Sequence, residues 1–329
     1  RGADRDLPVD LTEPRPCLSK GLLALLSDRF GLSPSAEPKD LGGSFSLNVL
    51  VDTRAGRYVA RAYGTQTEPP RLAAIQHARR HLAAWGVPAP EQVLTGDGEP
   101  FVLLGRHLVE VERYVEHDAH MDTWHRLELG LRYLGRTHSV LRSLRVGAAG
   151  RRAPVANHIE PDEALPGTLR GVKRMRAWNP TDDERALAAS FEELARLVAE
   201  AERDSVSLLP RQLVHGDFWD NNVLFRGDVV VLVTDLDFMA DRLRIDDLAL
   251  TLFFANSSIG GDRLSGDRSD SPASHAGRRL RRWSDRPSQC GRASSASGSH
   301  CTSDLVVNRM VGPATARAKS QAAGCAACR

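Results

Sequence analysis

Residues 214–225 read VHGDFWDNNVLF and residues 229–238 read VVVLVTDLDF, which sets Asp217, Asn222 and Asp235 in an order that phosphoryl transfer can use. In that chemistry an Asp accepts the proton of an attacking hydroxyl, a following Asn binds magnesium, and a second carboxylate shares the ion. A few oxygen ligands beside phosphate and water suit Mg2+, which is seldom held in an all-protein cage. The residues between Asn222 and Asp235 explain how the two could meet. Val223-Leu-Phe225 and the run Val229–Val233 are strand formers around Arg226, Gly227 and Asp228, a hairpin signal, and a hairpin returns its second strand beside its first. Asp and Asn are also ordinary turn residues, so a lone His-Gly-Asp would mark a loop and little else. Base, amide, hairpin and second carboxylate together favour the functional reading.

His215, Gly216, Asp217, Asn222 and Asp235 match, position by position, the HGD loop, the later Asn and the strand-ending Asp of the aminoglycoside phosphotransferase and choline kinase superfamily. The chain resembles that family from about Gly42 to about Gly261. The resemblance implies an α+β, protein-kinase-like fold of two lobes, with a small β-rich N-lobe and a larger helical C-lobe. It implies ATP and Mg2+ as cofactors and transfer of the γ-phosphoryl group to a hydroxyl of a small molecule. Asp217 would be the catalytic residue, with Asn222 and Asp235 as metal ligands and His215 bracing the loop. Asp247-Leu-Ala249 matches the family's D-L-A helix start, whose Asp also braces that loop. Asp237 stays open between a metal contact and a surface position.

The phosphates need cover and a counter-charge, and both are expected upstream. Residues 41–52 read as strand, glycine turn, strand. Gly42 and Gly43 would let backbone N–H groups approach anionic oxygens, and Asn48 matches an Asn that the family often carries there. The next strand, residues 57–63, should carry a cation, yet the lysines are Lys20, Lys39, Lys173 and Lys319. Arg61 is the candidate in their place, and a guanidinium fork can hold phosphate; an exposed strand arginine is the plain alternative. Pro69 to Trp85 reads as a helix closed by Gly86. No acidic residue follows Glu68 in it, so the helix acid that usually pairs with the strand cation is missing, and Gln76 is left to accept a hydrogen bond from Arg61.

Two more strand-like runs lie between Glu99 and Val115, the second of them a lobe hinge. A long helix over Asp122–Leu144 carries His138 on its apolar stripe, where a satisfied core histidine is expected. Residues 18–30 form an amphipathic cover helix. Residues 145–180 read as an Arg-, Gly- and Pro-rich insert in which Glu160, Asp162 and Glu163 face either a cationic substrate or solvent. Thr181 and Glu184 form a capping box for a helix reaching about Arg203. The expected domains are 1–115, the nucleotide-binding N-lobe; 116–261, the catalytic C-lobe; and 262–329, a low-complexity tail. The tail is expected to be disordered, with the composition of an out-of-frame reading of GC-rich coding sequence, and its Cys325 and Cys328 lack a second pair for zinc.

The whole chain of 329 residues, 41% hydrophobic, has room for a core of two lobes, and a net charge of +2 gives no argument for nucleic acid or a membrane surface. It begins with Arg1, as a fragment or processed form would. None of the five cysteines falls in the catalytic region, so a cytoplasmic, reduced protein is expected. The acceptor is expected to be an aminoglycoside or other antibiotic, with homoserine, choline or a sugar as the alternative. A non-catalytic nucleotide-binding protein is the reading from another class, and intact Asp217, Asn222 and Asp235 argue against it.

Overall fold

The computed structural model describes residues 15–258, so the expectations for the tail lie outside the described residues. Packing divides these into two units, residues 15–157 with 210–258, and His158–Leu209. In chain order the first unit begins with α1 (Lys20–Phe30), β1 (Lys39–Gly42), β2 (Leu47–Thr53), β3 (Gly56–Ala62) and α2 (Pro69–Ala84). Then come β4 (Gln92–Val93), β5 (Val102–Leu104), β6 (His107–Arg113), β7 (Ala119–His120), α3 (Trp124–Ser143) and α4 (Ala148–Arg151). The second unit holds α5 (Pro161–Arg176) and α6 (Asp182–Glu202). The first unit resumes with β8 (Arg211–Val214), β9 (Val223–Arg226), β10 (Val229–Val233), β11 (Ala240–Leu243) and α7 (Ile245–Ser258).

The N-terminal sheet runs β1-β2-β3-β6-β4, with β5 also on β6, and its pairs are antiparallel. Alternation gives it two unlike faces. Leu47, Val49 and Val51 of β2, Ala60 and Ala62 of β3, and Val109 and Val111 of β6 bury against Leu22, Leu26 and Phe30 of α1. Those helix residues recur every fourth position, and the helix is delimited by Ser19, whose hydroxyl accepts the Leu22 N–H, and by Gly31 at φ 67°. The opposite face carries Arg61, Glu110 and Glu112, all buried, and meets Gln76 and Arg79 of α2.

A second core joins Ile75, Ala78 and Leu82 of α2, Leu127, Leu134 and Leu141 of α3, and Phe218, Val223, Phe225 and Val233 around the hairpin. The hairpin is the one its turn residues predict, with Val223 opposite Val233 and Phe225 opposite Val230. β8 pairs with β11, so the chain entering the His-Gly-Asp loop and the chain leaving Asp235 are hydrogen-bonded neighbours.

In the second unit Thr181 and Glu184 form the expected capping box. The insert reading of residues 145–180 is corrected, because α4 and the whole of α5 lie inside it. Pro161 opens α5, and Val172 and Met175 are buried in a small cluster with Ala188 of α6. Pro166, Gly167 and Gly171 within the helix had obscured its period. Asp162 and Glu163 are exposed in its first turn, where the helix dipole favours acidic side chains, and Glu163 also accepts from Arg170 at 2.8 Å.

Candidate active site

The His-Gly-Asp loop is shaped by its glycine. Gly216 has φ 83°, and a Cβ there would collide with the Phe238 carbonyl and lie 3.0 Å from the Phe238 Cβ. A bare backbone is therefore what lets this loop press against the segment after Asp235. Asp247, fully buried on α7, accepts the His215 N–H at 2.9 Å and the Gly216 N–H at 2.7 Å. His138 Nε2 donates to the same carboxylate at 2.8 Å, which makes it a satisfied core histidine as expected. Burial works against charge on Asp247, but these donors hold its pKa below the ordinary range. His215 Nδ1 accepts the Asp217 N–H at 3.3 Å, so its Nε2 donates to the Thr234 carbonyl at 3.0 Å. Burial lowers the His215 pKa, in keeping with that neutral ring.

Asp217 is buried, and both its carboxylate oxygens are engaged. Asn222 Nδ2 donates to Oδ2 and to the Asp217 carbonyl, both at 2.8 Å, while Asn157 Nδ2 donates to Oδ1. These donors are neutral. Burial first, and then the charge of Asp235, push the Asp217 pKa up to about 8. The Asn222 N-amide faces Asp217, so its oxygen is the atom left to meet a cation, and the Thr234 N–H bonded to the Asn222 carbonyl at 3.0 Å ties it to the neighbour of Asp235.

Asp235 stands at φ 65°, a left-handed conformation that costs a non-glycine residue energy and is kept only where surroundings enforce it. Arg61 supplies part of that enforcement. Its Nη2 donates to Asp235 Oδ1 and Asp237 Oδ2, both at 2.8 Å. A cationic nitrogen thus already lies between these carboxylates, and hard oxygen donors facing one point are the donor set magnesium takes. Burial opposes charge on both, yet Arg61 holds Asp235 low, whereas Asp237, with Asp235 beside it, is pushed up to about 6. Among the described residues no three His, Cys, Asp or Glu side chains form a metal cage.

Gly42 and Gly43 have φ 92° and 125°, and a Cβ on Gly43 would collide with the Ser46 carbonyl, so both need to be glycine. Asn48 Nδ2 donates to the Gly42 carbonyl at 3.0 Å and fixes the turn. Phe45, at its tip, meets Phe238 edge to face at 6.4 Å, which carries this loop over the segment after Asp235. The Gly42–Gly43 turn, Asn48, Arg61, His215, Asp217, Asn222, Asp235 and Asp247 all lie in the first unit, whereas Glu160, Asp162 and Glu163 lie in the second.

One expectation is corrected. Gln76 makes no bond to Arg61; its amide donates to Glu110 Oε2 at 2.8 Å. The acids on this face come from β6, where Glu110 lies opposite Arg61 in register. Helix α2 contributes the cation instead, since Arg79 pairs with Glu110 at 2.7 Å and with Glu112. Sequence reasoning also missed Asn157, Arg79, Glu110 and Arg71. A buried acid pair at alternate positions of an apolar strand was the one local signal for Glu110 and Glu112.

A model of the phosphotransferase enzyme family matches residues 38–283. A homoserine kinase of Methylocella silvestris is 28% identical over 212 residues, 64% of this chain and 60% of that protein. A homoserine kinase of Mesorhizobium japonicum is 27% identical over 245 residues, 70% of this chain and 71% of that protein. The chain thus spans 60% of the length of the first of these relatives. Among solved structures, amicoumacin kinase hAmiN in complex with AMP-PNP, Ca2+ and Ami is similar with a TM-score of 0.55 and 14% identity, over 79% of this chain and 74% of that one. An aminoglycoside phosphotransferase from Alicyclobacillus acidocaldarius gives a TM-score of 0.52 and 18% identity, over 67% and 68%. The fold is kinase-like. Among the described residues no helix is long and apolar enough to cross a membrane.

Proposed function

Because the chain belongs to the phosphotransferase enzyme family, we propose that it transfers the γ-phosphoryl group of ATP to a hydroxyl of a small molecule. The observation that carries the reading is the convergence of Asp217, Asn222 and Asp235 with Arg61 on one side and Asp247 behind. Asp217 orients the acceptor hydroxyl and takes its proton; the two asparagine amides fix its carboxylate for that task. The Asn222 amide oxygen and Asp235 would hold Mg2+, with Asp237 next to it, and the ion would offset charge on the phosphates. Arg61 is shared between those carboxylates and the phosphates, and the Gly42–Gly43 turn covers them. His215 and Asp247 keep the loop in place. Catalysis of this type is mostly positioning and electrostatics, so a few well-held groups suffice. In this reading residues 1–115 serve the nucleotide and 116–261 the catalytic side.

The acceptor expected from the residues was an antibiotic of the aminoglycoside type. The names of the curated relatives favour homoserine, a small amino acid with a primary alcohol, as the first compound to try. ADP release with Mg-ATP against homoserine, choline, aminoglycosides and peptide antibiotics tests both. One acceptor should stimulate release well above the ATP-only rate, and no stimulation by any hydroxyl compound, with ATP bound, would count against the transferase reading.

A further inference from the structure

Arg71 lies in the first turn of α2, is 4% exposed, and bonds no carboxylate through its guanidinium. Its Nη donors go to backbone carbonyls of two segments instead, while Nε is buried without a partner among the described residues. Nη1 donates to Ala149 at 3.2 Å and Gly150 at 3.1 Å in α4; Nη2 donates to Asp237 at 2.8 Å and Met239 at 2.6 Å. The Asp237 charge favours the cation without a direct hydrogen bond, and a buried cation held by carbonyls and not by a carboxylate is costly and is kept where its geometry matters. Burial also lowers its pKa to about 10, still far above neutrality, so it stays a cation.

The two carbonyls of the second segment flank Phe238, the residue against which Gly216 packs. They follow Asp235, whose left-handed backbone needs outside support. Arg61 fastens the side chains of this segment and Arg71 its backbone. At the other end, α4 is seated tightly on α2, since a Cβ on Gly150 would lie 2.9 Å from the Ala74 Cβ. The segment is therefore tied to α2 and the short α4 through one planar fork with donors at both Nη atoms, a task for which lysine, a point cation, is not equivalent.

We propose that Arg71 is a positioning residue of the metal-binding segment, fixing the backbone after Asp235 so that Asp235 and Asp237 present their oxygens to a divalent ion bound with the nucleotide. This rests on the phosphotransferase reading. A support of this kind tunes metal affinity without touching the metal, and its loss typically costs 10–100-fold.

The test is binding of the fluorescent nucleotide mant-ATP to the full chain, in EDTA and in excess Mn2+, for wild type, Arg71→Met and Arg71→Lys. Wild type should bind more tightly with Mn2+. In Arg71→Met the affinity in EDTA should stay within about two-fold while the Mn2+ enhancement falls by about 10-fold; Arg71→Lys should fall between. Folded variants that keep the full enhancement, or that lose affinity equally with and without Mn2+, would overturn the proposal and leave Arg71 a packing residue. If Arg71→Met does not fold, Arg71→Lys decides by the same ratio. Wild type bound to mant-ATP but insensitive to Mn2+ would instead overturn the assignment of Asn222 and Asp235, and the proposal with it.

Discussion

The two faces of the N-terminal sheet are built from the same strands and held by different physics. Under α1 the face is apolar throughout, and Leu26, Val49 and Val109 are wholly buried with nothing to satisfy but contact. Under α2 the face is ionic, with Arg79 between Glu110 and Glu112, the Tyr63 hydroxyl donating to Glu110, and Arg61 leading on to Asp235 and Asp237. Burial disfavours charge on both glutamates, but Arg79, Gln76 and Tyr63 hold Glu110 low, whereas Glu112, with Glu110 beside it, is pushed up. Apolar burial is the cheaper route to stability, and buried ion pairs are weak evidence for it. The charged face is better explained by what it reaches. It ends at the carboxylates of the candidate site, and the other face ends at a cover helix.

The sharpest contrast comes from single deletions. Glu110→Ala leaves Arg79 buried beside one poorly satisfied acid and should cost about 3–5 kcal/mol in urea unfolding. Leu26→Ala on the apolar face should cost about 3 kcal/mol by transfer and cavity terms, and should leave mant-ATP affinity unchanged in the folded protein. If Glu110→Ala proves the milder of the two, the charged face is not the brittle one and the contrast fails.

A pH experiment extends it to the site. In the metal-free protein the Asp217 pKa lies above its unfolded value, so its contribution to stability is present at low pH and is lost as pH rises through about 8. Asp217→Asn should therefore melt about 3 °C or more above wild type at pH 9, with the gap closing by pH 5. A constant gap across that range would mean that Asp217 titrates normally. The smallest effect is expected on the same strand as Arg61. Arg57, exposed and paired with Asp52 and Glu116, should change stability by no more than about 0.5 kcal/mol as Arg57→Ala.

What could be read from residue order follows the same divide. Asp217, Asn222 and the hairpin to Asp235 were legible because the chain itself carries them there in a short span. The apolar face was legible too, because alternation in β2 and β3 is a local pattern. The ionic face was not. Arg79 and Glu110 are 31 residues apart and belong to a helix and a strand whose pairing no local pattern reports, and Arg61 finds its acids at Asp235 and Asp237, far along the chain. Asn157 was hidden in the same way, since it is 60 residues from Asp217 and no local pattern joins them.

The most direct test of the account is ADP release from Mg-ATP with the best acceptor of the panel, for wild type and for Asp217→Asn and Asp235→Asn. The account predicts turnover in wild type and a loss of about 1,000-fold or more in each variant, some 4 kcal/mol of transition-state stabilisation. Turnover that survives in folded Asp217→Asn would contradict it, because the group placed to take the hydroxyl proton would then not be needed.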